Sequence, residues 1–273
     1  VLTEAATDLR ARYERDGYCV ARNVIPAEVV ERGLAGMDAI RRGEYDTGTP
    51  PIDSPWKPGD PREKFCKIEM PHIGSAAVRA LLTHPALGAA AAAVTGAKRV
   101  QIWWVQMLEK PPGAATAGVN VGWHQDAQYW KCWEPGSELF TAWVAMSDVT
   151  EDSGPVRFVP GSHRWGFLDQ GDFYGQDPEA LRSGIGVPEG QTWREEAAIL
   201  SPGDVSFHHC WTYHGSGPNL SGRFRRSFAV HMRTEKSRPI PDVSVLGPDD
   251  GGGLIQFLGN AEYNPIIYDA RDG

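Results

Sequence analysis

The chain is short of cysteine, of excess basic charge and of long apolar runs, and each shortage removes a class of function. Four cysteines in 273 residues (Cys19, Cys66, Cys132 and Cys210) are too few and too scattered for a disulfide scaffold, and none forms the C-x-x-C spacing of a zinc knuckle or redox dithiol. They read as reduced thiols, as in a cytoplasmic protein. The first residues lack the charged, apolar and small-residue segments of a signal peptide, which gives the same expectation. The 27 Lys and Arg against 35 Asp and Glu leave a net charge of −8, with no basic stripe, so nucleic acid is not an expected partner. Arg223, Arg225 and Arg226 remain as a local group able to hold a small anion. The longest apolar run, 86–94, is too short to cross a bilayer, and no membrane partner is expected. No internal repeat is visible. What is present, 41% hydrophobic and 23% charged residues, fits a globular protein able to bury a sizeable core.

Pattern and punctuation divide the chain into a helical part and a strand-rich part. Residues 3–16 carry Ala6, Leu9 and Tyr13 at helical spacing, with Thr3 as a cap, until Asp16-Gly17 breaks the helix. Tyr18 to Ala21 reads as a strand. Pro26 opens a second helix with Val29, Val30, Leu34 and Met37 on its apolar side, and 43–62 is a Pro- and Gly-rich loop. Helices follow over 75–82 and from Pro85 to Val94, ending at Thr95-Gly96. Strands are expected at 100–108, 139–146, 156–159, 204–209 and 224–232. Segments 111–120 and 166–198 read as loops placed to close over a site. We expect one domain over 1–273, with helical support to about 98, a β core over about 99–235, and an extension over 236–273. Many short strands favour a sandwich or barrel.

The chemistry concentrates in Gly122-Trp123-His124-Gln125-Asp126 and in Tyr213-His214-Gly215-Ser216-Gly217-Pro218. On a strand, His124 and Asp126 face the same side and Gln125 the other. Two imidazoles and a carboxylate hold a ferrous ion on one face and leave the opposite positions open for a cosubstrate and O₂. The second imidazole comes from a group of four, His208, His209, His214 and His231. His214 is preferred because the following Gly-Ser-Gly-Pro turn sets it at a strand end. A lone His-x-Asp is more often a hydrogen-bonded surface pair; the surrounding context carries the metal reading. Arginine binds carboxylates bidentately and stays charged when buried. Arg225 is chosen as the partner of a dicarboxylate, with Arg226 facing the other way.

Together with Asp16-Gly17-Tyr18, Trp143, Pro160-Gly161-Ser162-His163-Arg164 and Pro202-Gly203-Asp204, these motifs resemble the phytanoyl-CoA dioxygenase family over nearly the whole chain. The resemblance implies a mainly β fold with supporting helices, a double-stranded β-helix of the jelly-roll, cupin-like kind. It implies His124, Asp126 and His214 as ligands of Fe(II), with 2-oxoglutarate and O₂ as cosubstrates. It also implies that Arg225, assisted by Ser216, binds the far carboxylate. Gln125 and Trp143 match positions lining the cosubstrate site, Lys67 matches a further cosubstrate-contacting lysine, and Gln106 with Met107 lies on a bordering strand. Because Asp126 is present where related halogenases have a small residue, hydroxylation, desaturation or oxidative ring closure is expected. The substrate expected is a polar small molecule in natural-product tailoring, a saccharide or aminoglycoside being suggested by Trp103, Trp104, Trp123, Trp130, Trp133, Trp165 and Trp211. Core packing is the plain alternative for those rings. An acyl substrate, or a non-catalytic jelly-roll binding protein, are the alternative functions.

Overall fold

The computed structural model describes residues 4–113, 120–241, 243 and 258–271. In chain order the elements are α1 (Glu4–Asp16), β1 (Tyr18–Ala21), α2 (Ala27–Arg41), β2 (Cys66–Glu69), α3 (Ala76–Leu82), α4 (Pro85–Thr95), β3 (Arg99–Lys110), β4 (Val121–His124), β5 (Leu139–Ala145), β6 (Val156–Phe158), α5 (Pro178–Gly184), β7 (Glu196–Ala197), β8 (Val205–His209), β9 (His214–Ser216), β10 (Arg225–Thr234) and β11 (Ile266–Asp269). Each expected helix and strand is found within a few residues of its predicted ends. Thr3 and most of the 111–120 loop, residues 114–119, lie outside the described residues.

The strands form two antiparallel sheets. The larger runs β1-β8-β5-β10-β3-β11, with β2 also paired to β3, and the smaller runs β4-β9-β6-β7. Period-two alternation gives the larger sheet two different faces. Phe140, Ala142 and Val144 of β5, Phe207 of β8, and Phe228, Val230 and Met232 of β10 join one core with Val30, Met37, Leu81 and Leu87 of the helices. The alternate residues Leu108, Trp143, Ala145 and Ala229 pack instead with Val156 and Phe158 of the smaller sheet. Helices therefore back one face, and the two sheets close on the other, as expected of a jelly-roll. A one-residue slip of β10 would exchange Val230 for His231, so the apolar pattern fixes the register that brings the polar residues between the sheets.

Local chemistry sets the helix ends. The Ser75 hydroxyl accepts from the Val78 N–H at the start of α3, and His84 caps α4 ahead of Pro85. Gly96, at φ 71°, ends α4 in the left-handed region. By composition, 76–95 is long and apolar enough to cross a bilayer, but it forms two helices whose faces (Val78 and Leu81; Leu87 and Ala91) enter the core. The extension beyond 235 contributes β11, an unanticipated strand on the edge of β3, where Asn264 donates to the Trp103 carbonyl at 2.7 Å.

Candidate metal centre

His124 closes β4, and its direct cross-strand partner is His214 on β9, so one antiparallel pair brings the two imidazoles together with ring centroids 4.2 Å apart. Asp126 is not on the strand as the sequence suggested; it opens a short 3-10 turn. The expected same-side projection survives because Gln125 between them stays extended, at φ −106° and ψ 130°.

Backbone carbonyls determine the imidazole tautomers. His124 Nδ1 lies 2.8 Å from the Gly122 carbonyl and His214 Nδ1 lies 3.0 Å from the Thr212 carbonyl. A carbonyl only accepts, so both Nδ1 atoms carry the proton and both Nε2 lone pairs are free. Each Nε2 lies 3.6 Å from Asp126 Oδ1. The other carboxylate oxygen is occupied: Oδ2 accepts from Thr141 Oγ at 2.8 Å and from His208 Nε2 at 3.2 Å. The Thr141 hydroxyl in turn accepts from His231 Nδ1 at 2.8 Å. Two free imidazole nitrogens and one free carboxylate oxygen, all within 4.8 Å of one another, thus converge with a supporting shell that orients each. One divalent ion at ~2.1 Å from each atom could span the two 3.6 Å separations. The donor set fits ferrous iron. Burial, with His124 nearby, holds His214 well below the ordinary histidine range. Burial alone would raise Asp126, but His214, His124 and His208 outweigh it and keep the carboxyl well below its usual range.

The cavity that exposes these atoms is also lined by Gln106, Trp143, Ser216 and Arg225. Arg225 is buried at 2% exposure; its Nη1 donates to Ser216 Oγ at 3.0 Å and to the Gly154 carbonyl, while its Nε has no partner among the described residues. Its guanidinium lies 5.1 Å from the Trp143 ring centroid. Burial lowers its pKa to about 10, which leaves it cationic at neutral pH. Arg226 faces away, as expected, and pairs with Glu109 and Asp38.

Three expectations are corrected. Gln125 does not line the cavity: its amide donates to the carbonyls of Gly166 at 2.8 Å and Trp211 at 2.7 Å and accepts from the Leu168 N–H at 2.9 Å. The alternation that aims His124 and Asp126 inward aims Gln125 outward, where it ties three loops. Lys67 is not part of the cavity wall either: on the edge strand β2, opposite Leu108, its Nζ is held 3.3 Å from Glu69 Oε1 and 4.9 Å from the ring centroid of Phe173, which does line the cavity. The strand β3 borders the cavity through Gln106 and Leu108, with Met107 between them pointing into the helical core. The seven tryptophans offered as a stacking surface are not on the cavity either. Trp103 packs edge-on against Trp130 and Trp133, Trp123 against Trp193, and Trp211 against His209. Trp143 is the one tryptophan lining the cavity.

Three residues around the site escaped sequence reasoning, Thr141, Lys110 and Phe173, while His208, weighed there as a metal ligand, instead supports Asp126 Oδ2. Lys110 was within reach, since it follows Gln106 and Leu108 at strand alternation. Phe173 comes from the 166–198 segment, and its ring is 5.1 Å from the His124 ring. Around Phe173 the segment is bonded to β4, Gly122 N–H to the Phe173 carbonyl and Asp172 N–H to the Trp123 carbonyl, both at 3.0 Å. Glycine is required on both sides, since a Cβ at Gly122 would lie 2.2 Å from the Asp172 carbonyl oxygen and one at Gly171 (φ 99°) 2.2 Å from that of Trp123. Tyr129 and Tyr174, 39% and 67% exposed, flank Phe173 on the solvent side.

Comparison with known proteins agrees with this geometry. The family profile described as phytanoyl-CoA dioxygenase matches residues 13–227. An ectoine dioxygenase of Bordetella parapertussis is 29% identical over 77% of this chain and 69% of its own length. The human peroxisomal phytanoyl-CoA dioxygenase is 24% identical over 82% and 67%. Among solved structures, the epimerase SnoN in complex with Fe3+, alpha ketoglutarate and nogalamycin RO superposes with a TM-score of 0.70 at 27% identity, covering 91% of this chain and 92% of that one.

Proposed function

The chain belongs to the phytanoyl-CoA dioxygenase family and is an Fe(II)/2-oxoglutarate-dependent dioxygenase, and from that premise we propose that it hydroxylates or oxidatively cyclises a polar small molecule in natural-product tailoring. The observation that carries the site assignment is the convergence of two carbonyl-locked imidazoles and a carboxylate with one free oxygen at a cavity that also exposes a buried arginine with no acidic partner among the described residues. His124 Nε2, His214 Nε2 and Asp126 Oδ1 would hold the iron. Arg225 and Ser216 would hold the far carboxylate of 2-oxoglutarate, with Trp143 and Gln106 as walls. Bound there, the iron and its cosubstrate supply the oxidising power: 2-oxoglutarate, O₂ and a substrate C–H give succinate, CO₂ and the oxidised product.

The protein's own part is orientation and protection. The Gly122 and Thr212 carbonyls keep a proton on each Nδ1 and so keep each Nε2 available. Thr141 and His208 restrict Asp126 to one free oxygen. Leu108, Val121, Val156 and Phe173 line the cavity and keep water from the reacting atoms. Gln106, next to the Glu69–Lys67 pair, supplies polar contacts, and Tyr129, Phe173 and Tyr174 an aromatic approach. The nogalamycin relative supports a natural-product substrate; a saccharide loses the support of the tryptophans, which are engaged elsewhere. Four buried free cysteines support a reducing, cytoplasmic setting.

The test is succinate formation across a panel of polar natural-product precursors, with product mass read in parallel. We expect substrate-stimulated turnover, with gain of one oxygen atom for hydroxylation or loss of two hydrogens for ring closure, and no turnover by Asp126→Ala. Turnover confined to acyl thioesters would overturn the substrate reading.

A further inference from the structure

We propose that His231 is a substrate-recognition residue whose Nε2 accepts a hydrogen bond from a hydroxyl or N–H group of the substrate. The inference rests on the reading of the cavity as the site of a polar small molecule and deepens it: the substrate is an alcohol or amine that carries a donor into the cavity.

His231 lies on β10, on the same inner face as Arg225, and its ring lines the cavity. Its cross-strand partner on β5 is Thr141. His231 Nδ1 is 2.8 Å from the Thr141 oxygen. That hydroxyl gives its single proton to Asp126 Oδ2, because a carboxylate oxygen only accepts. The Thr141 oxygen therefore accepts from His231, and Nδ1 carries the imidazole proton. Burial pushes the His231 pKa down to about 4, so the ring is neutral at ordinary pH and Nε2 holds a lone pair. Ring contacts with Trp130 and Trp103, at 4.9 and 5.8 Å between centroids, fix its plane. The other cavity imidazoles are already assigned: His124 and His214 turn Nε2 toward the metal position, and His208 Nε2 lies 3.2 Å from Asp126 Oδ2. His231 Nε2 has no donor among the described residues.

Gln106 presents a second acceptor. Its Nε2 points to Glu69 Oε1 at 3.4 Å, the orientation that avoids setting two acceptor oxygens together, and Oε1 is left for the cavity. The nearby hydroxyls are spent, that of Thr141 on Asp126 and that of Ser216 on the Gly154 carbonyl. The wall formed by Gln106 and His231 therefore accepts. 2-Oxoglutarate, as a dianion, offers only acceptors and does not compete for it. A ketone, ether or carboxylate oxygen of a substrate at His231 would set lone pair against lone pair, whereas a hydroxyl or N–H group completes the bond. His231 is only 5% exposed, so a molecule that displaces water there without donating leaves a buried acceptor unmatched.

A purely supporting role, in which His231 steadies Asp126 through Thr141, makes a different prediction. The measurement is anaerobic binding of cyclohexanol and of cyclohexanone to the protein loaded with Fe(II) and 2-oxoglutarate. The two rings are alike in size and only the alcohol donates; binding is read from the broadening of each probe's proton resonances by the iron. Wild type should bind the alcohol about fivefold or more tighter than the ketone. His231→Asn keeps an N–H for Thr141 and removes the Nε2 acceptor, so it should lose that preference and still bind Fe(II) as the wild type does. His231→Phe removes both nitrogens and should lose the preference and weaken Fe(II) binding as well. An unchanged preference in the folded Asn and Phe variants overturns the proposal. So does a preference that falls in His231→Asn only in step with Fe(II) affinity, and so does failure of both variants to fold, since His231 would then serve Asp126 or the fold alone. A wild type that binds both probes equally overturns the proposal and leaves the polar-substrate reading in place. A wild type that binds neither overturns that reading and the proposal with it.

Discussion

Two adjacent residue pairs on the same two strands meet opposite fates. On the outer face of β3 and β10, Arg226 faces Glu109, and that carboxylate also takes Arg41; every charge there has a partner. One residue along, on the inner face, Arg225 faces Lys110, and neither has an acidic partner among the described residues. The outer pair is complete without a ligand and serves the fold. The inner pair has no carboxylate of its own among the described residues, and on the function proposed above Arg225 takes that of the cosubstrate. Unmatched charge on a buried face, more than charge itself, marks where a protein waits for something.

The comparison can be broken from either side. The largest effect is expected on the outer face: Glu109→Gln leaves Arg41 and Arg226 without their shared carboxylate and should cost about 3–5 kcal/mol in urea unfolding, with 2-oxoglutarate affinity of the folded protein unchanged. If affinity falls in step with stability, the two faces are not separable. On the inner face, Arg225→Met should weaken 2-oxoglutarate binding by about 2–3 kcal/mol while the unliganded protein unfolds at the same or a higher urea concentration, since an unmatched buried charge has been removed. A marked loss of stability would make Arg225 part of the fold after all. Deeper in the same cavity, Thr141→Val leaves Asp126 Oδ2 with His208 alone and should lower Fe(II) affinity about tenfold by metal titration.

Acid acts on the fold gradually, through groups away from the cavity. His72 and His209 are buried and pushed down to about 4 by desolvation. An unfolded chain would protonate them near ~6.5, so between those values the unfolded state binds more protons. Their contribution is full above ~6.5 and should be lost at about 1.4 kcal/mol per pH unit for each histidine as pH falls toward about 4. Urea midpoints measured down that range, with His209→Gln showing a shallower slope, check the sign.

Which residues were legible in the sequence follows the same division between local and non-local causes. His124, Asp126, His214, Ser216 and Arg225 could be named because short motifs and strand alternation position them. Alternation also implied that Gln125 faces away, and the structure favours that reading over the family match. Thr141 and His208 reach Asp126 only through the pairing of β5 with β8, which no local pattern encodes. The tryptophans misled because abundance near a motif in sequence is not nearness to its side chains in space. β11 was missed because an edge strand with four partly exposed residues carries no clear alternation.

The backbone bonds joining Phe173 and Asp172 to β4 have a consequence for how the entrance works and how it changes over evolutionary time. The doorway is fastened to the strand that carries His124, so it cannot swing wide without straining the metal's own mounting. Admission and release must then proceed by small side-chain rotations at Phe173 and its exposed neighbours. Tyr174, 67% exposed, can be exchanged more readily than Gly122 and Gly171 beneath it, whereas the Tyr129 hydroxyl accepts from the Phe173 N–H at 2.7 Å and is part of the fastening. A lineage built this way can try new cargo one aromatic at a time while its reactive centre stays in adjustment.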